Sequence, residues 1–567
     1  MMPQIQTVRM QDTAGEAGTT GEVGTAGKAG TTGELCKFCG MTDCPMHSTA
    51  AKAETGTGTV AQEGPAVHQM AGVPVSIAIG GIVAIIIVSH LFLHFGKRRG
   101  LRKAYPAFDL LRLPLLKRIV RWSAFPMLIQ TVSIGLFLLV IGAGLFGNQR
   151  VNIAPVLTWT WWWALLIFAI VGMGTAFCAI CPWEGLSSLV TSLSLKSRRK
   201  SIGFELKWPR WLRNTHVALF LFIVLTWFEL GLGVTKSPSM TALLAAAFGT
   251  MAIVTALVFE RRSFCRYVCF VGRIQGLYAL FAPIEVRPGP PDICRSCEGK
   301  ECYNGSDSAE GCPTSLFPGA LTENTYCTLC TECVRSCPHD NIALNVRPFG
   351  ADLFRKVRFR WDEAVLALSL LALTSFHGLT MTPSWIRMTD LMRAELGLGS
   401  HAVFTILMAL MMIVPIGLFY GVSALAGRLG GDKSTDTARV FRAFAYSVIP
   451  IALFYHLAHN GMHFFMEAQY IIPLLSDPFG WGWNLFGTAG KTYDPWMTLR
   501  TIWWMQITFI VMGHVFGVIA ADRIVRVLYT ERGPAFRALM PLIVLMILYS
   551  SFSVWLIAQP MEMRSGM

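Results

Sequence analysis

Ten stretches of about 20 apolar residues punctuate this chain, each long enough to cross the hydrocarbon core of a bilayer as a helix. They run at 72–95, 122–146, 156–177, 216–234, 241–259, 363–381, 402–426, 444–465, 501–521 and 538–558. A run of this kind satisfies its own backbone inside a membrane only as a helix. The expected fold class is therefore an all-α polytopic membrane protein with about ten transmembrane helices. The composition agrees, since the 567 residues are 53% hydrophobic and only 14% charged.

Charge orders these spans. Lys and Arg concentrate at 96–121, 183–213, 260–273, 347–360, 427–443 and 522–537, and the intervening connections at 147–155, 235–240, 382–400 and 466–500 hold few. By the positive-inside rule the basic loops are cytoplasmic and both termini face outward, as in a bacterial inner-membrane protein. Aromatic runs such as TWTWWW at 158–163 and PFGWGW at 478–483 read as interfacial belts. The formal charge of +14 follows from this sorting and does not point to nucleic acid.

Between spans five and six stands CTLCTECVRSCPHDNIAL, with Cys327, Cys330, Cys333 and Cys337 at spacings of two, two and three and a proline after the last. Three thiolates on one tight loop reach three irons of a cubane cluster, while the fourth faces a second cluster. Zinc needs four ligands on one tetrahedral centre and gives Pro338 no role. Upstream, CRSCEGKECYNGSDSAEGCP supplies Cys294, Cys297, Cys302 and Cys312. Ferredoxin cross-ligation assigns Cys294, Cys297, Cys302 and Cys337 to one [4Fe–4S] cluster and Cys327, Cys330, Cys333 and Cys312 to the other. The four-residue gap before Cys302 departs from that pattern and leaves a linear grouping of Cys294, Cys297, Cys302 and Cys312 open. The organisation expected is a tail at 1–70, spans one to five at 71–283, a small cytoplasmic ferredoxin-like α+β insert at 284–350, and spans six to ten at 351–567.

Spans three and five end in an echo of one another, TAFCAICPWEG with Cys178 and Cys181 and RSFCRYVCFVG with Cys265 and Cys269. Four thiols at the membrane edge suit a dithiol redox pair, a soft metal such as Cu(I), or a further cluster. Paired membrane-edge cysteines followed by a two-cluster segment resemble the membrane-bound 4Fe–4S polyferredoxins. That family includes the nitrous-oxide-reductase regulator, the NapH-type quinol dehydrogenase component and the copper reductase of cytochrome oxidase assembly. The resemblance covers about 120–350; the family's CxxxCP appears here as CAICP, one residue short, and as CRYVCF, without the proline. It implies electron transfer between a membrane carrier and a periplasmic partner or metal.

Outside that stretch, FYHLAHNGMHFFMEAQY places His456, His459, His463 and Glu467 on one helical face in the outer half of span eight. Ionisable residues in a span tend to face a pathway, a partner or a cofactor. With His377 at similar depth, His459 or His456 suits axial ligation of a b-type haem. A non-haem metal, with His463 among its ligands, or a quinol competes, as do hydrogen-bonded core histidines. His514 sits in a GxxxG face, Gly513 to Gly517, that suits helix packing.

The outward tail repeats small residues, carries no apolar signal core, and should be disordered. Its CKFCGMTDCPMH motif offers Cys36, Cys39, Cys44 and His47 to copper or zinc, or to a disulfide with a spare thiol. No phosphate-binding glycine loop occurs, so electrons arrive from a redox protein or a quinone. The function expected is membrane electron transfer by an oxidoreductase component. Reduction or delivery of copper to a periplasmic metalloenzyme is the rival, and metal transport a third reading.

Overall fold

The computed structural model describes residues 69–95, 105–122, 124–192, 203–260, 262–306, 309–356, 358–431 and 436–562. The tail motif of Cys36, Cys39, Cys44 and His47 lies outside them. Strand β1 (Gln69–Met70) leads into α1 (Val75–Phe95), followed by β2 (Phe108–Asp109) and the short α2 (Pro114–Arg121). Next come α3 (Ala124–Phe146), α4 (Ile153–Met173), α5 (Pro182–Ser192), α6 (His216–Gly231), α7 (Pro238–Val258) and α8 (Phe270–Tyr278). The cysteine-rich segment holds β3 (Ile284–Pro288), α9 (Pro291–Ser296), α10 (Glu301–Asn304), α11 (Glu332–Ser336) and β4 (Ile342–Val346). The second half comprises α12 (Trp361–Thr380), α13 (Pro383–Leu396), α14 (Ser400–Leu429), α15 (Thr437–Ser476), α16 (Leu499–Leu528), α17 (Arg532–Ala558) and β5 (Met561–Glu562).

Nine helices among the described residues are long and apolar enough to cross a membrane. The tenth expected span is α6, apolar but only 16 residues long. Span eight, expected at 444–465, is the interior of a helical run twice that length, α15, with short 3-10 turns at Tyr446–Val448 and Ala468–Tyr470. A helix that is apolar nearly all round belongs inside a bundle. α15 is the central helix, almost wholly buried between α4, α12 and α16, whereas most of α3 is exposed apolar surface. Gly513 and Gly517 of α16 let the backbones close. An added Cβ would meet Phe454 Cβ at 2.8 Å in one case and Met546 Cε at 2.8 Å in the other.

Hydrogen bonds between connections fix which helix ends share a side. Asn148 N–H donates to Phe479 O at 2.7 Å, and Ser239 N–H to Gln149 Oε1 at 3.1 Å, joining three connections at one end. At the other end Thr215 N–H donates to Asp362 Oδ2 at 3.0 Å and Arg537 Nε to Leu429 O at 3.0 Å, on the side of the cysteine segment. The alternation expected from the basic loops is therefore present. β1 pairs with β5 on the side opposite the cysteines, so the first and last spans finish together.

The cysteine segment is not self-contained. Its antiparallel β3–β4 pair is extended by β2 from the connection after α1, with Phe108 opposite Val346 and Asp109 opposite Asn345. Behind the sheet, buried Arg347 pairs with Glu285 at 2.9 Å and with Asp352, and Asp352 also receives Arg287 at 2.8 and 2.9 Å. Lys356 joins Glu363 of α12 at 3.1 Å, and Tyr326 Oη donates to the same carboxylate at 2.6 Å. Removing one member of a buried ionic group strands the others. Arg347→Leu is expected to lower stability by about 3–5 kcal/mol. Arg295→Leu, which breaks an exposed pair with Asp292, should cost about 0–1 kcal/mol. Thermal unfolding of both variants in detergent checks the contrast.

Candidate redox site

The eight cysteines of the segment form two groups. Cys294, Cys297, Cys302 and Cys337 line one small cavity, and Cys312, Cys327, Cys330 and Cys333 line another. Cys337 crosses to the first group and Cys312 to the second, so the linear grouping that ends on Cys312 is not formed. Among the described residues no three Cys, His, Asp or Glu side chains converge as a single ion would require. Four sulfurs standing around a void suit a polynuclear centre better than a tetrahedral zinc ion.

The two groups are built alike. Lys300 (φ 48°) and Thr331 (φ 60°) adopt left-handed backbone two residues before Cys302 and Cys333, starting α10 and α11. Ser315 (φ 53°) and Asp340 (φ 50°) do so three residues after Cys312 and Cys337. Each of those turns aims an amide at sulfur, Leu316 N–H at Cys312 Sγ and Asn341 N–H at Cys337 Sγ, both 3.4 Å. Asn341 Nδ2 donates further to Cys294 Sγ at 3.2 Å. Non-glycine residues in this conformation cost on the order of 1–3 kcal/mol each and persist where a site fixes them. The extra residues Glu298 and Gly299 are absorbed before Lys300, which explains why the long gap leaves the local geometry intact. Burial pushes the Cys302 thiol up to about 11 and the Cys327 thiol up to about 12. Such thiols keep their protons until a metal displaces them.

The second group rests on the membrane helices. Thr175 Oγ1, just past α4, donates to Cys327 O at 2.6 Å, and Gly276 of α8 lies against Thr325, whose carbonyl oxygen would stand 2.1 Å from an added Cβ. Here the membrane-edge thiols gather: Cys269 lies within electrostatic reach of Cys178, Cys181 and Cys265. None of the described cysteines is disulfide-bonded. Cys269 caps α8, accepting from Gly272 N–H at 3.3 Å, and Cys265 Sγ–H points to Glu184 Oε2 at 3.4 Å. Arg262, ion-paired to Glu184, is close enough to act on both Cys265 and Cys330, bridging this group to the second quartet.

From that edge two cavities enter the bundle. One, in part open, lies between α3, α4 and α7, with Cys181, Pro182 and Trp183 at the end near the cysteine segment. Its walls are almost wholly apolar and aromatic. Trp183 is buried there, stacked on Phe248 at 5.6 Å, and its indole N–H has no hydrogen-bond partner. The second, smaller cavity is lined by His377, His456, His459, His463, Asn460 and Glu229, and shares Trp159 and Trp163 with the first.

The ring centroids of His377 and His459 are 4.7 Å apart, and those of His459 and His463 4.9 Å. Two imidazoles on opposite faces of one haem iron, with bonds of about 2 Å, hold their centroids roughly 6 Å apart. The His377 and His459 rings, at 4.7 Å, stand closer together than such a pair. His456 is no better placed, because Tyr278 Oη bonds its Nδ1 at 2.6 Å and Thr374 Oγ1 its Nε2 at 2.7 Å. His463, expected among metal ligands, instead meets Glu467 Oε1 through Nδ1 at 3.1 Å. His514 is a packed core residue, bonded to Ser89 at 2.7 Å and Ser550 at 2.9 Å. Sequence reasoning missed Gln275, Tyr278, Glu229 and Trp183. The first two sit on α8, a short helix buried along its whole length, and a Gln and a Tyr inside the apolar RIQGLYAL were the available signal.

No protein-family model matches the chain, and no solved structure does. One curated relative is YccM of Escherichia coli (strain K12), provisionally named as an electron transport protein, 26% identical over 199 residues. The match covers 31% of this chain and 52% of the relative, so the chain spans about half of that protein's length.

The close approach at Gly276 gives a local test. Gly276→Ala should push the Cys327–Cys330 loop off the membrane helices and increase maleimide labelling of Cys330 in metal-free protein. Gly80→Ala, which meets nothing within 4 Å, should leave labelling unchanged.

Proposed function

We propose that this chain transfers electrons singly between a soluble redox protein and a quinone in the bilayer, through two ferredoxin-type [4Fe–4S] clusters and the membrane-edge thiols. The observation that carries this reading is the serial order of the groups. The Cys294 quartet sits among exposed residues such as Arg295 and Glu298, the Cys327 quartet is docked on α4 and α8, the four thiols lie beneath it, and the aromatic cavity opens from Cys181. Bound clusters supply reversible one-electron chemistry at these positions. The chain's own part is to hold the sulfurs with amide donors, exclude water from the second quartet, and keep Arg262 between the two cysteine groups. The similarity to a protein named for electron transport supports the same direction of argument.

A quinone fits the aromatic cavity, since a flat apolar ring stacks on Trp and Phe and a carbonyl accepts the unpaired Trp183 N–H. The basic loops share the side of the cysteine segment, which supports a cytoplasmic position for the clusters in a bacterial inner membrane. The gathering of Cys178, Cys181, Cys265 and Cys269 favours a second reading, copper reduction or assembly, because thiolates select Cu(I). That reading ranks below the first because no three of these sulfurs converge on one point.

Iron and acid-labile sulfide decide the cluster assignment. Cys333→Ser and Cys302→Ser are each expected to lose about half of both, from different centres with different spectra. Full iron in both variants refutes it. Stoichiometric copper in the wild type, lost in Cys269→Ser, would favour the second reading.

A further inference from the structure

The buried polar face of α15 has no part in the electron path, yet it forms a continuous series across the outer half of the bundle. Beginning on the side away from the clusters, Glu467 meets His463 at 3.1 Å. The rings of His463, His459 and His377 follow at 4.9 and 4.7 Å. His456 comes next, bonded to Tyr278 at 2.6 Å, one turn of α8 from Gln275, whose Oε1 faces Cys178 Sγ at 3.9 Å. All these groups face one cavity or its ends, and Glu229 of α6 adds a second carboxylate. Among the described residues no Lys or Arg lines that cavity. His463 Nε2 is buried and has no hydrogen-bond partner among the described residues. The polar atoms around this space give a bridging water the partners that it needs.

A series of imidazoles accepts a proton on one nitrogen and releases it from the other, which makes it a relay as well as a ligand set. Intramembrane Asp, Glu and His series serve that purpose in pumps and transporters. Because the two cavities share Trp159 and Trp163, whatever reacts in the aromatic one lies beside the histidines.

We infer that His456, His377, His459, His463 and Glu467 form a proton path between the quinone site and the surface opposite the clusters. The inference rests on the reading that a quinol or quinone occupies the aromatic cavity. The balance is simple. A quinol loses two O–H bonds and becomes a quinone; its two electrons pass one to each cluster, and its two protons leave by the histidines past Glu467. Quinone reduction runs the same atoms in reverse. Electrons and protons thereby leave the site toward opposite faces of the membrane.

The test uses the full chain in liposomes, with decylubiquinol as reductant, cluster bleaching as the electron readout and a pH dye inside or outside the vesicles as the proton readout. His459→Ala and Glu467→Gln should slow cluster reduction by quinol on the order of 100-fold. Dithionite, which brings no proton through the site, should still reduce all clusters in both variants, showing that they fold and load. Imidazole added to His459→Ala should restore rate and proton release, which a packing defect would not allow. His401→Ala, exposed and outside the cavity, should behave as wild type. Variants that reduce as fast as wild type, or a slow His459→Ala that imidazole does not restore, overturn the proton path alone. A wild type that quinol cannot reduce overturns the quinone reading and the path together.

Discussion

The docking of one loop, Thr325 to Cys330, onto the ends of α4 and α8 is the constraint on which the rest of the arrangement depends. It brings a cysteine group that would otherwise sit in water into contact with helices that would otherwise end in lipid headgroups. The contact needs a hydrogen bond from Thr175 to the Cys327 carbonyl and a bare backbone at Gly276. It also needs the ionic group of Arg287, Glu285, Arg347 and Asp352, which is buried and therefore costly unless every charge is paired. Such a group contributes little net stability compared with apolar packing, but it tolerates almost no change in position. Its value here is registration: with Arg347 fixed between β3 and Asp352, the sheet, the Cys327 quartet and α12 move as one body.

The parts of this design that were legible in the sequence are those set by local chemistry. Spacing of Cys327, Cys330, Cys333 and Cys337 reports a tight loop, and hydropathy reports spans, because both depend on neighbours along the chain. The crossing of Cys312 and Cys337 between quartets is a tertiary property, and the gap before Cys302 made it ambiguous. Only the repeated left-handed residues, Lys300 with Thr331 and Ser315 with Asp340, reveal that the two halves share one plan. β2 was invisible for a related reason, since two residues of strand in a connection carry no periodicity. The histidine face of span eight was legible as a face, but spacing along a helix says nothing about the ring-to-ring distance across it. That distance is a tertiary property too.

The polarity of α15 explains its place at the centre of the bundle. Helices α1, α3 and α14 present Ile, Leu and Val to the exterior, where lipid replaces nothing that they need. α15 carries His456, His459, Asn460, His463 and Glu467, and each would cost several kcal/mol if turned to hydrocarbon. Burying the helix on every side gives those groups partners: Tyr278 and Thr374 for His456, a backbone carbonyl for Asn460, Glu467 for His463. His514 is satisfied so completely by Ser89 and Ser550 that it functions as a polar pin between α1, α16 and α17. His514 has both ring nitrogens bonded, whereas His463 keeps one nitrogen on Glu467 and turns the other toward the cavity.

Charge placement supplies the last step. A cluster gains a negative charge when it takes an electron, and in a buried position that charge needs a compensating field. Arg262 stands between Cys330 and Cys265, and Arg273 lies buried within reach of Cys178 and Cys269, its guanidinium over the Tyr326 ring at 5.0 Å. Both are held by the frame rather than by the cysteines: Arg262 by Glu184, Arg273 by the Cys265 carbonyl at 3.1 Å. Fixed cations thus stand at the edge where electrons would pass, Arg262 beside its counter-ion Glu184, while the cavity deeper in the membrane is lined by Glu229 and imidazoles and, among the described residues, by no Lys or Arg. That separation follows from where four residues, Arg262, Arg273, Glu229 and Glu467, are buried, and it acts on any carrier that releases an electron and a proton between them.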